Sequence, residues 1–187
     1  MKKHTLKTFQ IFTVLASLFF ISACSTMSSS TDSRANLEQQ ARAALNTLHE
    51  TTPQTKQLQA HAILVFPNIL KAGLMVGSSG GNGVLFTPDG HVQSYYNTTS
   101  LSYGLQAGAQ SYSQVMFLMT PKALEYLNSS SGWSVGVGPS IVVMDTSMAK
   151  DISTTTTRSD VYAFIFGQQG LMGGVGVQGQ KITRLEP

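Results

Sequence analysis

Glycine is distributed very unevenly along this 187-residue chain, and the distribution restricts the folds open to it. All seventeen glycines lie at or beyond Gly73. From there the chain consists of short β-rich runs punctuated by Gly, Ser and Asn, whereas the part before it carries helical patterns. A helical segment followed by a glycine-rich sheet predicts one α+β domain.

Two helices are predicted ahead of the sheet, and we expect both to pack on it. Apolar residues recur at helical spacing over about 33–49, which predicts a modest amphipathic helix. Thr52 and Pro53 are typical of an N-cap and first turn, so a second short helix is expected to end near Ala62. The residues that define the first helix are Leu37, Ala41, Ala44, Leu45 and Leu48.

Three later segments alternate larger apolar residues with Gly, Ser or Gln: LSYGLQAGA (101–109), WSVGVGPS (133–140) and GGVGVQGQ (173–180). At a period of two, Leu101, Tyr103 and Leu105 share one face, and the opposite face is nearly bare. Each glycine inside a strand costs about 0.5–1 kcal/mol relative to alanine, so its repeated use indicates close approach of backbone or ligand. The pattern favours a curved, mainly antiparallel sheet or barrel-like sandwich; the alternative is a ligand-facing groove.

Local signals place several further elements. Thr87-Pro88-Asp89-Gly90 carries proline second and glycine fourth, which predicts a β-turn after a strand at 84–86. Thr120-Pro121 predicts the start of a short helix that runs through Asn128. Apolar runs at 112–119, 141–144 and 161–166 have the length of strands.

The first 23 residues have the layout of a secretory signal peptide. Three lysines precede an apolar stretch from Ile11 to Ile21, and small residues then precede Cys24. A membrane-spanning helix needs about 20 predominantly apolar residues, and this stretch is shorter. We therefore expect cleavage before Cys24, a flexible Ser-rich tether over 24–33, and a single domain over 34–187.

The residues Ile21-Ser22-Ala23-Cys24 resemble the bacterial lipobox. The resemblance implies that the Cys24 thiol carries a lipid, with further acylation such as palmitate on the new amino group, and that the protein is anchored in the cell envelope. Ser25, where an aspartate would favour retention in the inner membrane, implies the outer membrane facing the periplasm. The alternative is an ordinary signal peptide with a coincidental cysteine.

Charge and cysteine content exclude some classes of protein. The formal charge is +3, but three of the twelve basic residues lie in the signal, which leaves nine bases against nine acids. A neutral domain lacks the basic footprint of a nucleic-acid binder, so no nucleic acid is expected as a partner. Cys24 is the only cysteine, so the domain has no internal disulfide and relies on its core.

Enzyme chemistry has little support. Gly77 to Gly81 fits the G-x-S-x-G pattern of a serine hydrolase, in which Ser79 is the nucleophile. The residues that follow Gly81 have the pattern of a strand rather than of the required helix. We therefore expect this segment to be a glycine-rich hairpin loop, and a serine hydrolase remains a remote alternative. The three histidines of the mature chain are not spaced as metal ligands, so neither a metal nor a cofactor is expected.

Several segments, taken in order, resemble the SYLF domain family, which is also catalogued as an actin-binding domain. They are ILVFPNILKAGLMVGSSGGNGVLF (63–86), YGLQAGAQSYSQVMFLMTPKALEYL (103–127), WSVGVGPS (133–140) and GLMGGVGVQGQKI (170–182). The resemblance covers most of 35–185 and includes the helix ahead of the first segment.

The resemblance implies a non-enzymatic module that binds membrane phospholipid. It implies lipid contacts at Arg34 and Arg42 of the amphipathic helix and at Lys71, which matches a basic position of the first segment. Actin binding, described for some members, is not expected of an exported bacterial protein. The alternative is a structural lipoprotein of the envelope whose domain docks a protein partner, with exposed aromatics such as Tyr95 and Tyr96 as candidate contacts.

Overall fold

The computed structural model describes residues 30–129, 133–134, 138–145 and 159–185. Arg34–Pro187 form one compact unit, and of Met1–Ser33 only the last four residues are described. The predicted signal peptide and Cys24 therefore lie outside the described residues. Within them, no helix is long and apolar enough to cross a membrane.

The chain consists mostly of strands: a sheet dominated by three very long strands, with one main helix at the N-terminus, which fits the predicted α+β class. The elements, in order, are helix α1 (Ser30–Thr51), a 3₁₀ helix (Pro53–Gln57), strands β1 (Ala62–Phe86) and β2 (Val92–Leu118), helix α2 (Pro121–Leu127), and strands β3 (Trp133–Ser134), β4 (Ile141–Asp145) and β5 (Val161–Arg184).

The helical predictions are correct in kind for α1 and α2. Between α1 and β1 a short helix begins at Pro53, as predicted, but it is a 3₁₀ helix that ends at Gln57 rather than near Ala62. Helix α1 begins at Ser30, so the last four residues assigned to the tether are helical. Thr120 caps α2 by accepting a hydrogen bond from the Ala123 amide. The expected second N-terminal helix is only the 3₁₀ stretch. Thr52 makes no side-chain cap hydrogen bond there, and the chain is already extended at Leu58.

The long strands pair side by side in the order β1-β2-β5. Strands β1 and β2 are antiparallel from the pair Ala62–Leu118 to the pair Phe86–Val92, and β5 runs antiparallel along β2. The turn between β1 and β2 closes with a hydrogen bond from the Gly90 amide to the Thr87 carbonyl, at 2.9 Å, as its sequence predicts. On the far edge of β5, β4 pairs parallel with its start and β3 antiparallel near its end.

All three long strands bend at the same level of the sheet. In β1 a Cβ on Gly73 would overlap the Gly77 backbone, and Met75 between them has a φ of 62°. Opposite this point, Gly108 of β2 has a φ of 132°, and Gly174 of β5 has a φ of 133°. Residues with a side chain rarely adopt the backbone conformations of Gly108 and Gly174, so glycine is favoured where β2 and β5 turn. We call this region the bend.

The bend folds the two halves of the sheet onto one another. Leu64 and Phe66, from the first half of β1, share a core with Leu85 from its second half. Gly83 lies directly against the Phe66 ring, where a Cβ would overlap it. Trp133 and α2 close this core. The strand ends and the helices therefore lie at one end of the domain, and the bend lies at the other.

Helix α1 covers a second core on the outer face of the sheet. Ala41, Ala44 and Leu48 pack there with Phe117 and Phe164. The rings of Phe117 and Phe164 meet edge to face at 5.6 Å. Because alanines form most of the buried helix face, the helix axis can lie close to the sheet. From Arg34 onward, α1 is thus a structural layer of the domain.

Candidate functional site

The bend carries the most exposed large apolar side chains among the described residues. Leu74 is 75% exposed, Leu105 80% and Leu171 88%. A concentration of exposed apolar groups on a folded domain marks an interaction surface, since single exposed residues are normal and clusters are not. We define the bend surface as Leu74, Met75, Val76, Tyr103, Leu105 and Leu171.

Directly behind this surface the inner face of the sheet is polar. Ser102 and Gln106 are buried, and the Gln106 amide donates a hydrogen bond of 2.7 Å to the Ser102 hydroxyl. Gln180 donates to Thr98 and to Gln114 at 2.8 and 3.2 Å. The usual arrangement of a soluble sheet, with apolar residues inside and polar residues outside, is therefore reversed at the bend.

Close approach of the two sheet halves explains this reversal. Gly77 lies against the Ser102 hydroxyl and the Gln106 amide, and a Cβ there would lie within about 3.2 Å of both groups. Large side chains do not fit between backbones at this distance, so the small and polar members of the alternating pattern face inward. Leu101, Tyr103 and Leu105 share a face, as the period of two predicts, and that face is the solvent side.

The charge around the bend has one sign. The parts of the three long strands around the bend, residues 68–80, 99–112 and 167–180, contain Lys71 and no acidic residue. The acidic side chains that the structure describes lie on α1, on α2, in the turn after β1 and at the start of β5. The domain is thus polarised, with an apolar and weakly basic end opposite an end that holds the acids.

Lys71 lies on the first half of β1, three residues before Leu74. Its ammonium donates a 2.9 Å hydrogen bond to the Gln178 side-chain carbonyl of β5. It lines an open groove with the hydroxyls of Ser78 and Ser79. Burial raises the pKa of Tyr112 nearby, and hydrogen bonds with Ser79 and Gln178 oppose that rise. Lys71 thus stands at the edge of a polar network, beside the apolar bend surface.

Arg34 and Arg42, the other predicted lipid contacts, lie at the opposite end of the domain. The Arg42 guanidinium stacks 4.8 Å above the Phe86 ring and donates a 3.0 Å hydrogen bond to the Gly90 carbonyl. Arg34 lies 5.1 Å above the Tyr95 ring. Both contacts fasten α1 to the β1–β2 hairpin. The structure therefore does not bring Arg34, Arg42 and Lys71 together into one site.

The G-x-S-x-G segment is not the hairpin loop that the sequence predicted. It lies inside β1, where Ser79 pairs with Ser100 of β2 and their hydroxyls are hydrogen bonded. Glycine and serine suggested a loop, but here they accommodate the close packing beside the bend. His91 instead pairs with Asp89 in the exposed turn, at 3.2 Å. Ser79 thus contacts no histidine within the described chain, and no helix follows it.

Titratable groups elsewhere in the described residues serve packing and capping. The His49 ring is hydrogen bonded to Thr55, and burial, followed by the charge of Lys56, lowers its pKa. Asp160 accepts hydrogen bonds from the Ser140 amide and hydroxyl, which lower the pKa of its carboxyl. No cluster of three or more metal-ligating side chains occurs in these parts of the chain.

The sequence did not predict that the bend surface is a candidate functional site. The alternation of Leu101, Tyr103 and Leu105 was visible, as was the lack of acidic residues around it. Together these two signals favour an apolar surface that meets an uncharged or anionic partner. Neither indicated which side of the strands faces solvent, because that depends on the bend.

Comparison with models of known protein families supports the resemblance that the sequence shows. No curated protein matches the chain. Residues 99–186 match the family described as Ysc84, Las17-binding protein actin regulator. The match spans most of β2, the helix α2 and all of β5, and so includes two of the three strands that form the bend. This is the SYLF family that the sequence was predicted to resemble, and the match confirms that resemblance over residues 99–186.

Proposed function

We propose that this protein is a membrane-anchored lipoprotein whose domain binds phospholipid bilayers through the bend surface. The observation that carries the proposal is the group of exposed apolar side chains at the bend, with Lys71 beside it and no acidic residue near it. Apolar groups gain free energy when they leave water for the acyl region, and lysines gain it near anionic headgroups. The domain acts by binding and carries out no reaction.

Anchoring and recognition have separate origins in this proposal. The lipid on Cys24 holds the protein in the envelope, at the outer membrane, and the bend supplies a second contact that an anchored domain makes at high local concentration. Lys71 provides its electrostatic part. Arg34 and Arg42 hold α1 on the hairpin, and this proposal assigns them no lipid contact.

The family description also names actin regulation and binding to Las17. We propose phospholipid rather than actin as the partner, because the predicted export would remove this chain from the compartment that holds actin. A protein of the envelope is the second candidate, since an apolar surface can also dock a protein. The two candidates differ in whether pure lipid vesicles suffice for binding.

The test uses a chain that begins at Ser25, which lacks both the signal and the lipidation site. All residues of the two cores lie at or after Leu37, so this chain keeps every described core contact. We expect it to co-sediment with vesicles of phosphatidylglycerol and phosphatidylcholine, and more weakly with phosphatidylcholine alone. Rising salt should reduce the difference between the two vesicle types.

Matched lysine variants test the electrostatic part. Lys71→Gln should weaken binding to anionic vesicles about fivefold, since a lysine near such a surface contributes about 1 kcal/mol. Lys122→Gln on α2 removes the same charge far from the bend and should change nothing. No sedimentation of the parent chain above a vesicle-free control would overturn the proposal, and crosslinking in envelope fractions would then test the protein-docking candidate.

A further inference from the structure

We infer that the bend enters the bilayer as a shallow wedge. Its tip, which we call the crest and which carries Leu74 and Leu105, lies in the upper acyl region, and Lys71 lies at the level of the phosphates. This inference rests on the proposed function and adds the mode and depth of contact. It starts from the reversed polarity of the bend, in which apolar side chains face outward and hydrogen-bonded polar side chains face inward.

The inner polar groups are already satisfied by one another, which removes an obstacle to insertion. Gln106 bonds to Ser102, and Gln180 bonds to Thr98. A buried polar group without a partner costs several kcal/mol in hydrocarbon, whereas a paired one costs far less. The outward side chains of the same strands are those that gain free energy on leaving water. The bend is therefore arranged for an apolar surrounding rather than for an aqueous one.

The edges of the sheet limit the depth of insertion. Across the bend, the described residues give the outer edge of β1 no partner strand, and they pair β5 with β3 and β4 only near the ends of β5. Unpaired backbone N–H and C=O groups do not enter the hydrocarbon region, because no water satisfies them there. Insertion is thus confined to the interfacial region, about 5–10 Å deep, as for other surface-bound apolar faces.

The position of Lys71 fits this depth. At about 3.3 Å per residue, its three-residue separation from Leu74 places it roughly 10 Å from the crest. A crest in the upper acyl chains then sets the Lys71 ammonium among the phosphates. Tyr103, two residues from Leu105 and 70% exposed, falls between these levels, where aromatic side chains with a polar tip are favoured.

The pairing of β2 with β5 supplies an internal measure of orientation. Leu105 lies near the crest, and Leu101 lies four residues before it. Leu171 of β5 pairs with Ala109, which lies four residues after Leu105, on the other side of the bend. Leu101 and Leu171 therefore flank the crest symmetrically. A wedge that enters crest-first places the two flanks at equal depth, shallower than Leu105.

The experiment attaches an environment-sensitive fluorophore to single cysteines in the chain that begins at Ser25, which contains no other cysteine. The labelled variants are Leu105→Cys, Leu101→Cys and Leu171→Cys, with Glu50→Cys on α1 as the control. Depth is read in phosphatidylglycerol–phosphatidylcholine vesicles from quenching by lipids that carry the quencher at defined acyl positions. Co-sedimentation of each labelled variant is measured in parallel.

We expect the strongest quenching for Leu105→Cys, weaker and similar quenching for Leu101→Cys and Leu171→Cys, and none for Glu50→Cys. Sedimentation without quenching at any bend position would overturn the wedge while leaving lipid binding intact. Deeper quenching at one flank than at Leu105 would show that the sheet lies with one face against the membrane, and would overturn the wedge as well. Loss of sedimentation by the unlabelled parent would instead overturn the proposed function.

Discussion

Replacing Leu74 and Leu105 at the crest by serine removes apolar surface that contributes little to the stability of the folded domain. Leu74 is 75% exposed and Leu105 80%, so most of each side chain is available to a partner. Full burial of a leucine side chain contributes about 2 kcal/mol. Scaled by exposure, the pair contributes roughly 3 kcal/mol to membrane binding, which corresponds to about a hundredfold in the dissociation constant.

The assay is titration of the Ser25-start chain with phosphatidylglycerol–phosphatidylcholine vesicles, followed by sedimentation. Leu74→Ser combined with Leu105→Ser should weaken binding about a hundredfold, while urea unfolding stays within about 0.5 kcal/mol per substitution, as for other exposed positions. Val143→Ser on β4 is the matched control, because Val143 is an exposed apolar residue away from the bend. Equal binding by the double variant and the parent, or an equal loss in Val143→Ser, would refute the reasoning.

Three further predictions concern the scaffold. Gly174→Ala should lower the free energy of unfolding in urea by more than about 2 kcal/mol, because the φ is strained for alanine and its Cβ would overlap the neighbouring strand. Gly179→Ala is the control and should not destabilise the domain, since the space around its Cβ is open. Because the pKa of His49 is lowered in the folded domain, the unfolded chain binds the proton more readily. The free energy of unfolding should therefore fall as the pH drops through about 6.5, and His49→Gln should make it less dependent on pH. Tyr96→Phe removes the hydrogen bond from a buried phenol to Asn128 and should cost about 1 kcal/mol, measured by thermal unfolding.

The elements that the sequence predicted well depend on local chemistry. The turn at 87–90 follows from proline and glycine at fixed positions, and α2 follows from the Thr120 cap and Pro121. Helix α1 follows from its apolar period. In each case the residues that determine the element lie within a few positions of one another, so the folded context adds little.

The features that the sequence did not predict depend on contacts between distant residues. A period of two assigns Leu101, Tyr103 and Leu105 to one face, but it does not say which face is the interior. That choice follows from the bend, where Gly73 of β1 pairs with Gly108 of β2, and Gly174 of β5 pairs with β2 two residues away, at Gln106. The contacts of the arginines on α1 likewise depend on residues of the β1–β2 hairpin that lie about 40 or more residues further along the chain.

Hydrogen–deuterium exchange with and without vesicles tests most directly that the bend, and not α1, is the membrane contact. For the Ser25-start chain bound to phosphatidylglycerol–phosphatidylcholine vesicles, the account predicts slower exchange in peptides covering 70–76, 101–108 and 170–176. Peptides from α1 should exchange at unchanged rates. Protection confined to α1, with the three bend segments unaffected, would contradict the account.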